Sequence, residues 1–466
     1  MKQHELQHLY LRSGFGESLV KVLDYMPFTR AKIIDQVFED SRLSSFLHAV
    51  PPGLDYKPNK KIISVDERKE IRKLQNEYNH NLNLNWVQQM CTSKEMLMEK
   101  MTFLWHGHFA CRVDHPLYAQ KLNNTIRKGA LGKFSDLLFD ISKEAAMLQF
   151  LNNRQNKKAS PNENFAREVM ELFTLGRGNY TETDVRETAR AFTGWNFDDE
   201  GNYVFNEKVH DRGVKDVFGK RGNYTGDDIL LMILDRRECA SYIAGKFYTW
   251  FVNDEPNHDI IAELAKDFYE SDYNIQNLLR KIFEADWFYN EENIGVKIKS
   301  PVELIVGTAR ILQMEYINPY PLINVQRVLG QFLFNPPNVA GWKGGKDWID
   351  SSTILFRLNF VDKIVNAADI HITAKPDDDM METRDRTELE RIKNLSVSVD
   401  WNKMLELFDG KPVEQIKNEI RRFLIQTTDV PEIDDISSSG GNMGFSESDL
   451  KEYCLKVMSL PEFQMV

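Results

Sequence analysis

Cysteine is scarce, and Cys91, Cys111, Cys239 and Cys454 stand far apart with no C-x-x-C pair. That excludes a disulfide framework and a cysteine-ligated zinc, and fits reduced thiols in packing roles. Long apolar runs are missing too: stretches such as "ILLMIL" at 229–234 fall far short of a membrane span, so no transmembrane helix is expected. The start, "MKQHELQHLYLRSGFG", lacks the basic segment, apolar core and small-residue cleavage site of a secretory signal, which gives a cytoplasmic expectation. Positive charge is in deficit, with a net charge of −11, and this argues against nucleic acid as the main partner. There is no G-x-S-x-G, P-loop, Rossmann glycine fingerprint or H-E-x-x-H. Serine-hydrolase chemistry and a nucleotide cofactor are therefore not expected.

What is present is helical periodicity. Apolar residues recur at three and four spacing through most of the 466 residues, while alternating β-branched runs are few and short. The fold class is mainly α: a multi-helical single body over 1–370, an acidic linker or exposed segment over 371–397, and a small helical C-terminal part over 398–466. Two segments break the pattern. Residues 196–226 are rich in Gly, Asp and Asn and predict a long loop carrying a small β-hairpin. Residues 334–353 combine a double proline with several glycines, and Trp342 and Trp348 supply anchors for an ordered loop. A second flexible segment is expected at "SSSGGNMGF", 437–445.

The most concentrated chemistry lies in "PNENFAREVMELFTLGRGNYTETDVRETARAFTGW", 161–195. As a helix over 161–174, Phe165, Ala166, Val169, Met170, Leu172 and Phe173 share one side, and Glu163, Asn164, Arg167, Glu168 and Glu171 share the other. Thr181 and Asp184 then begin a second helix on which Arg186 and Arg190 sit one turn apart. Two such arginines repel unless carboxylates lie across them, and Glu168 and Glu171 are the expected partners. A salt-bridged structural seam explains this pattern as well as the wall of a site does. In "WHGHF", 105–109, His106 and His108 project about 200° apart on an unbroken helix and converge only if it distorts at Gly107. A core histidine bonded to a polar group is the bland alternative to a metal ligand. In "HDRGVK", 210–215, His210 and Asp211 suit acid/base or hard-metal chemistry, although an Asp–Gly surface turn explains Asp211 and Gly213 equally well.

Several of these stretches, with "LYLRSGFG" at 9–16, "EKMTFLWHGHF" at 99–109, "IRKGALGKFSDLL" at 126–138, "IKSPVELIVGTAR" at 298–310 and "PPNVAGWKGG" at 336–345, resemble the bacterial family known as domain of unknown function 1800. The resemblance runs over nearly the whole chain and implies no particular reaction. Many relatives look exported and lie beside a sulfatase-like family, which implies a link to surface polymers. The signal-free start of this chain departs from that pattern.

Three functions follow as expectations. The first is a metal-dependent enzyme, hydrolytic or oxidative, holding Fe, Mn or Zn with His106, His108, Glu168 and His210. Catalysis would fall to Glu168, Glu171, His210 and Asp211, and Arg167, Arg186, Arg190, Asn164 and Trp195 would hold an anionic or carbohydrate substrate. The second is a metal-free glycan-acting enzyme using Glu168 or Glu171 as acid or base. The third is a binding or assembly protein, in which the seam is structural and the tryptophan loops near 195 and 342 meet a partner.

Overall fold

The computed structural model describes residues 1–42, 45–51, 64–367, 370–371, 391–392, 395–427 and 445–466. Most of the expected acidic linker and nearly all of the expected flexible segment at 437–445 lie outside the described residues.

The chain is mainly helical. Helices α1 (Gln3–Ser13), α2 (Leu19–Tyr25) and α3 (Arg30–Asp40) lead to the long α4 (Val65–Thr92), α5 (Met96–His108) and α6 (Pro116–Gly129). α7 (Phe134–Ser142) and α8 (Ala145–Phe150) follow, where the periodicity predicts one helix over 133–150. α9 (Asn164–Glu168) and α10 (Glu182–Ala191) carry the charged stretch. The remainder of the body is α11 (Gly226–Leu234), α12 (Arg237–Phe251), α13 (His258–Glu270), α14 (Ile275–Glu284), α15 (Pro301–Ile311), α16 (Leu322–Val328) and α17 (Thr353–Val365). Near the C-terminus come α18 (Trp401–Leu405), α19 (Val413–Leu424) and α20 (Glu447–Met458). No described helix is long and apolar enough to cross a membrane.

Local chemistry sets many of these boundaries. Ser64 with Glu67, Thr181 with Asp184, Ser300 with Glu303 and Ser446 with Asp449 form capping boxes that satisfy the first free amides of α4, α10, α15 and α20. α14 shows why such helices dock: Ile275, Leu278, Leu279, Ile282 and Phe283 make a single buried stripe. One contiguous core runs from Leu6 to Phe463. The C-terminal helices join it, since α20 packs on α17, α18 and α19, and α19 packs on α1.

Among the described residues, the strands form short antiparallel pairs. The long loop folds as two hairpins where the sequence predicts one: β1 (Trp195–Phe197) with β2 (Tyr203–Phe205), and β3 (Lys215–Val217) with β4 (Lys220–Gly222). Glu315–Tyr316 pairs with Val397–Ser398, and Ile370–His371 with Arg391–Ile392. The proline- and glycine-rich loop lies on the end of α5. Gly341 adopts φ 78° there, and an added Cβ would stand 2.4 Å from the Gly107 carbonyl oxygen, so only glycine fits. Trp348 is buried and Trp342 half-buried, as expected of anchors.

Candidate acid/base site on a π-helix

Where the 3.6-residue pattern predicts one α-helix over 161–174, the chain is α-helical only to Glu168 and then turns as a π-helix from Val169 to Leu175. The Thr174 hydroxyl donates to the Val169 carbonyl at 2.5 Å, five residues back, which supports the wider turn. π-helical turns are rare, and many occur at functional sites. α12 packs against this segment, and the Tyr242 hydroxyl donates to the Leu172 carbonyl at 3.0 Å.

The widened turn gives two neighbouring carboxylates opposite environments. Glu171 accepts hydrogen bonds from the Tyr180 hydroxyl and from Arg177 Nε, the latter at 2.6 Å, and both lower its pKa. Glu168 is half-buried and takes part in none of the described hydrogen bonds or ion pairs. Burial raises its pKa, the Glu171 charge raises it further, and Arg167 and Arg177 only partly offset the two. One carboxyl is thus biased toward the acid and the other toward the carboxylate. Tyr180 is pushed up to about 12 by burial and by its bond to Glu171.

The rest of the seam differs from the expected pairing. Arg186 and Arg190 do not meet Glu168 and Glu171. Arg186 is exposed and donates to the Thr183 hydroxyl at 3.2 Å, while Arg190 donates to Asp211 at 2.7 Å and to Glu187 at 2.6 Å. The π-turn begins only after Glu168, and Asp211, in the loop between the two hairpins, takes the place expected of the glutamates beside Arg190. Arg167 bridges the two helices by another route, donating to Glu182 at 2.7 and 2.8 Å and to Glu163 at 3.2 Å. Asn164 is exposed beside it.

His210 is buried, but it does not join Glu168. Its Nδ1 donates to the Thr193 carbonyl at 2.8 Å, and its ring packs on Phe205. Asp211 also receives the Gly213 amide, the turn geometry its Asp–Gly sequence suggests, and Arg190 lowers its pKa. Trp195 is 3% exposed between Phe165, Phe192 and Tyr203, so its faces serve the core and not a ligand.

The two WHGHF histidines stay apart because α5 continues undistorted through Gly107. His106 sits among Trp86, Phe334 and Trp342, and its Nε2 accepts the Phe334 amide at 3.1 Å. His108 Nε2 donates to the Phe173 carbonyl at 3.0 Å, tying α5 to the π-helix. Burial lowers both pKa values to about 3, so both rings are neutral. His106, His108, Glu168 and His210 therefore occupy separate environments, and no group of three or more His, Cys, Asp or Glu among the described residues is arranged to hold a metal ion.

Sequence reasoning passed over Lys246. It is half-buried on α12, with its ammonium 5.3 Å from the centre of the Tyr242 ring, and it joins none of the described hydrogen bonds or ion pairs. Burial lowers its pKa. Nothing in the local sequence marks it, because its neighbours Tyr242, His108 and the π-helix come together only in the fold.

No curated protein and no solved structure matches the chain. The family model described as "Protein of unknown function (DUF1800)" matches residues 8–465, and the chain belongs to that family.

Proposed function

We propose that the protein is an acid/base enzyme acting on a carbohydrate that carries anionic groups, with Glu168 as general acid and Glu171 as the ionised partner. The observation that carries this reading is Glu168 itself, a half-buried carboxyl with raised pKa and no hydrogen-bond or ion-pair partner among the described residues, beside a carboxylate held toward the ionised form by Tyr180 and Arg177. Neighbouring carboxyls whose environments push their pKa values apart are how one site supplies acid and base at one pH. Glu168 would protonate a leaving-group oxygen, and Glu171 would stabilise positive charge or accept a proton from water. Tyr180 and Tyr242 offer half-buried ring surface beside the pair, and Lys246, with no ion-pair partner among the described residues, offers a cation for an acidic substituent.

The test is turnover of a panel of soluble acidic and neutral glycans by the full chain. Activity should fall at high pH as Glu168 loses its proton and at low pH as Glu171 gains one. Glu168→Gln should lose turnover with the fold intact by circular dichroism, and an unchanged rate in that variant would sink the reading. The rival metal-enzyme reading predicts stoichiometric Fe, Mn or Zn in protein purified without a histidine tag, and occupancy lost in His108→Ala.

A further inference from the structure

A second cluster of charge lies away from the π-helix and is built from segments far apart in sequence. Arg12 on α1, Lys100 on α5, Lys297 and Lys299 before α15, and Arg357 on α17 gather around Glu303 at the start of α15. Arg12, Lys100, Lys299 and Arg357 are 2%, 3%, 4% and 0% exposed. Burial lowers the pKa of all five cations and the Glu303 charge opposes that in each; Lys100 also reaches the Leu11 carbonyl beside Arg12 at 3.5 Å, and Arg357 reaches the Lys299 carbonyl. Lys100 pairs with Glu303 directly, and Lys297 pairs with Asp254.

Among the described residues, five cations thus share two side-chain carboxylates. Main-chain carbonyls take part of the remaining donor capacity: Arg12 donates to Asn293 at 2.9 Å, Lys299 to Phe463 at 2.6 Å and Arg357 to Lys299 at 2.6 Å. Carbonyl dipoles do not neutralise charge, and buried cations in excess are costly unless an anion balances them. Two donors are also orphaned. Arg12 Nε and Arg357 Nη1 are buried with no hydrogen-bond partner among the described residues. The cluster reaches solvent at Lys297, whose side chain is 14% exposed, and at Asp254, which is 42% exposed. The Asp254 charge also acts on Arg12, so its carboxylate caps the cationic group from outside.

We propose that Arg12, Lys100 and Lys297, backed by Lys299 and Arg357, form a binding site for a tetrahedral oxyanion, a phosphate or sulfate group, that enters by displacing Asp254 from Lys297. Guanidinium and ammonium groups offer several N–H donors each, and together they match three or four acceptor oxygens better than one carboxylate does. The site is separate from the Glu168 carboxyl, and the proposal does not depend on the function suggested for it.

The experiment is thermal unfolding and isothermal titration calorimetry of the full chain with inorganic phosphate, using sodium chloride at equal ionic strength as the reference. Wild type should show saturable stabilisation by phosphate beyond that of chloride. Lys297→Met, at the mouth of the cluster, should bind phosphate at least tenfold more weakly while its unfolding temperature in chloride changes little. Asp254→Asn, which removes the internal competitor at an exposed position, should bind it severalfold more tightly. A network that is only structural gives the opposite result, with phosphate and chloride equivalent in all three proteins, and that outcome overturns the proposal. Parallel titrations with sulfate and glycerol phosphate tell a free anion from an esterified group: binding of the ester shows that the site accepts a group on a larger molecule, and binding of the inorganic ions alone shows an enclosed anion site.

Discussion

The seam between α9 and α10 and the cluster around Glu303 are both made of arginine, lysine and carboxylate, yet they are opposites in physical terms. The seam is nearly balanced and wet: Arg167, Glu163 and Glu182 are 33%, 39% and 72% exposed, and their pairs exchange water for water-like partners. The Glu303 cluster is dry and unbalanced, with two guanidinium groups inside it keeping donors unsatisfied. Charge density along a sequence therefore says little about electrostatic consequence. Burial decides it, through the desolvation of each group.

The largest expected effect tests that contrast directly. Burial alone would raise the pKa of Glu303, but the Lys100 charge and hydrogen bond, with hydrogen bonds from the Ser300 amide and hydroxyl, hold it at about 2. Glu303→Gln removes this counter-charge from five cations and also weakens the capping box of α15. By analogy with breaking a buried ion pair, the loss should be about 3–5 kcal/mol in urea unfolding. A loss below about 1 kcal/mol would make the cluster equivalent to an exposed pair and end the comparison.

The two regions also differ in how visible they were. Helical content, the exposed arginine pairs and the capping boxes are local properties, and three- and four-residue spacing reveals them. The charges of the 161–195 stretch are contiguous, so they are legible in the sequence. The π-turn after Glu168 was hidden, since a residue pattern read at 3.6 per turn carries no sign of a change in pitch, and the pairing of Arg190 with Asp211 was hidden because it comes from the fold of the loop. Lys246 and the Glu303 cluster were hidden for a different reason. Residues 12, 100, 297, 299 and 357 are each ordinary in their own segments, and only the tertiary arrangement gathers them. The WHGHF histidines lay between these cases: their divergence on one helix was legible, but their main-chain partners Phe334 and Phe173 were not.

A pH titration separates the regions next. Burial lowers Lys299 to about 7, and the nearby Arg357 charge adds to the effect. Its folded pKa lies below its unfolded value of 10.5, so between about 7 and 10.5 the unfolded chain binds the extra proton and stability rises with pH. Below 7 the lysine is charged in both states and its burial penalty is full. Lys299→Met should therefore gain stability relative to wild type at pH 6, with the gap closing toward pH 10 by up to about 1.4 kcal/mol per unit. A gap that does not change with pH would show that Lys299 is neutral, or compensated, throughout.

A smaller effect is expected at Glu168. Its raised pKa means that ionisation is disfavoured in the folded chain, so stability is lost as pH rises through that pKa. Glu168→Gln should be slightly more stable than wild type at pH 8 and equal to it at pH 4. Partial exposure screens the difference to less than about 1 kcal/mol. A gain in stability together with a loss of turnover is what a functional carboxyl kept at some expense to the fold would give. Destabilisation at both pH values would instead mark Glu168 as a packing residue.

The smallest effect belongs to Arg167, although its three hydrogen bonds make it look like the centre of the seam. Bonding to Glu182 favours its charged form, and so do the bond to Glu163 and both carboxylate charges. Each of these groups nevertheless remains open to water, and the arginine gives up side-chain entropy to hold them together. Arg167→Gln should change unfolding free energy by no more than about 1 kcal/mol at low salt. The difference should fade near 1 M sodium chloride, where the Debye length is about 3 Å. A loss above about 2 kcal/mol that persisted in high salt would mean that Arg167 acts through packing between α9 and α10, with its aliphatic stem covering apolar surface. The seam would then join the Glu303 cluster as a structural element, and exposure would no longer separate the two.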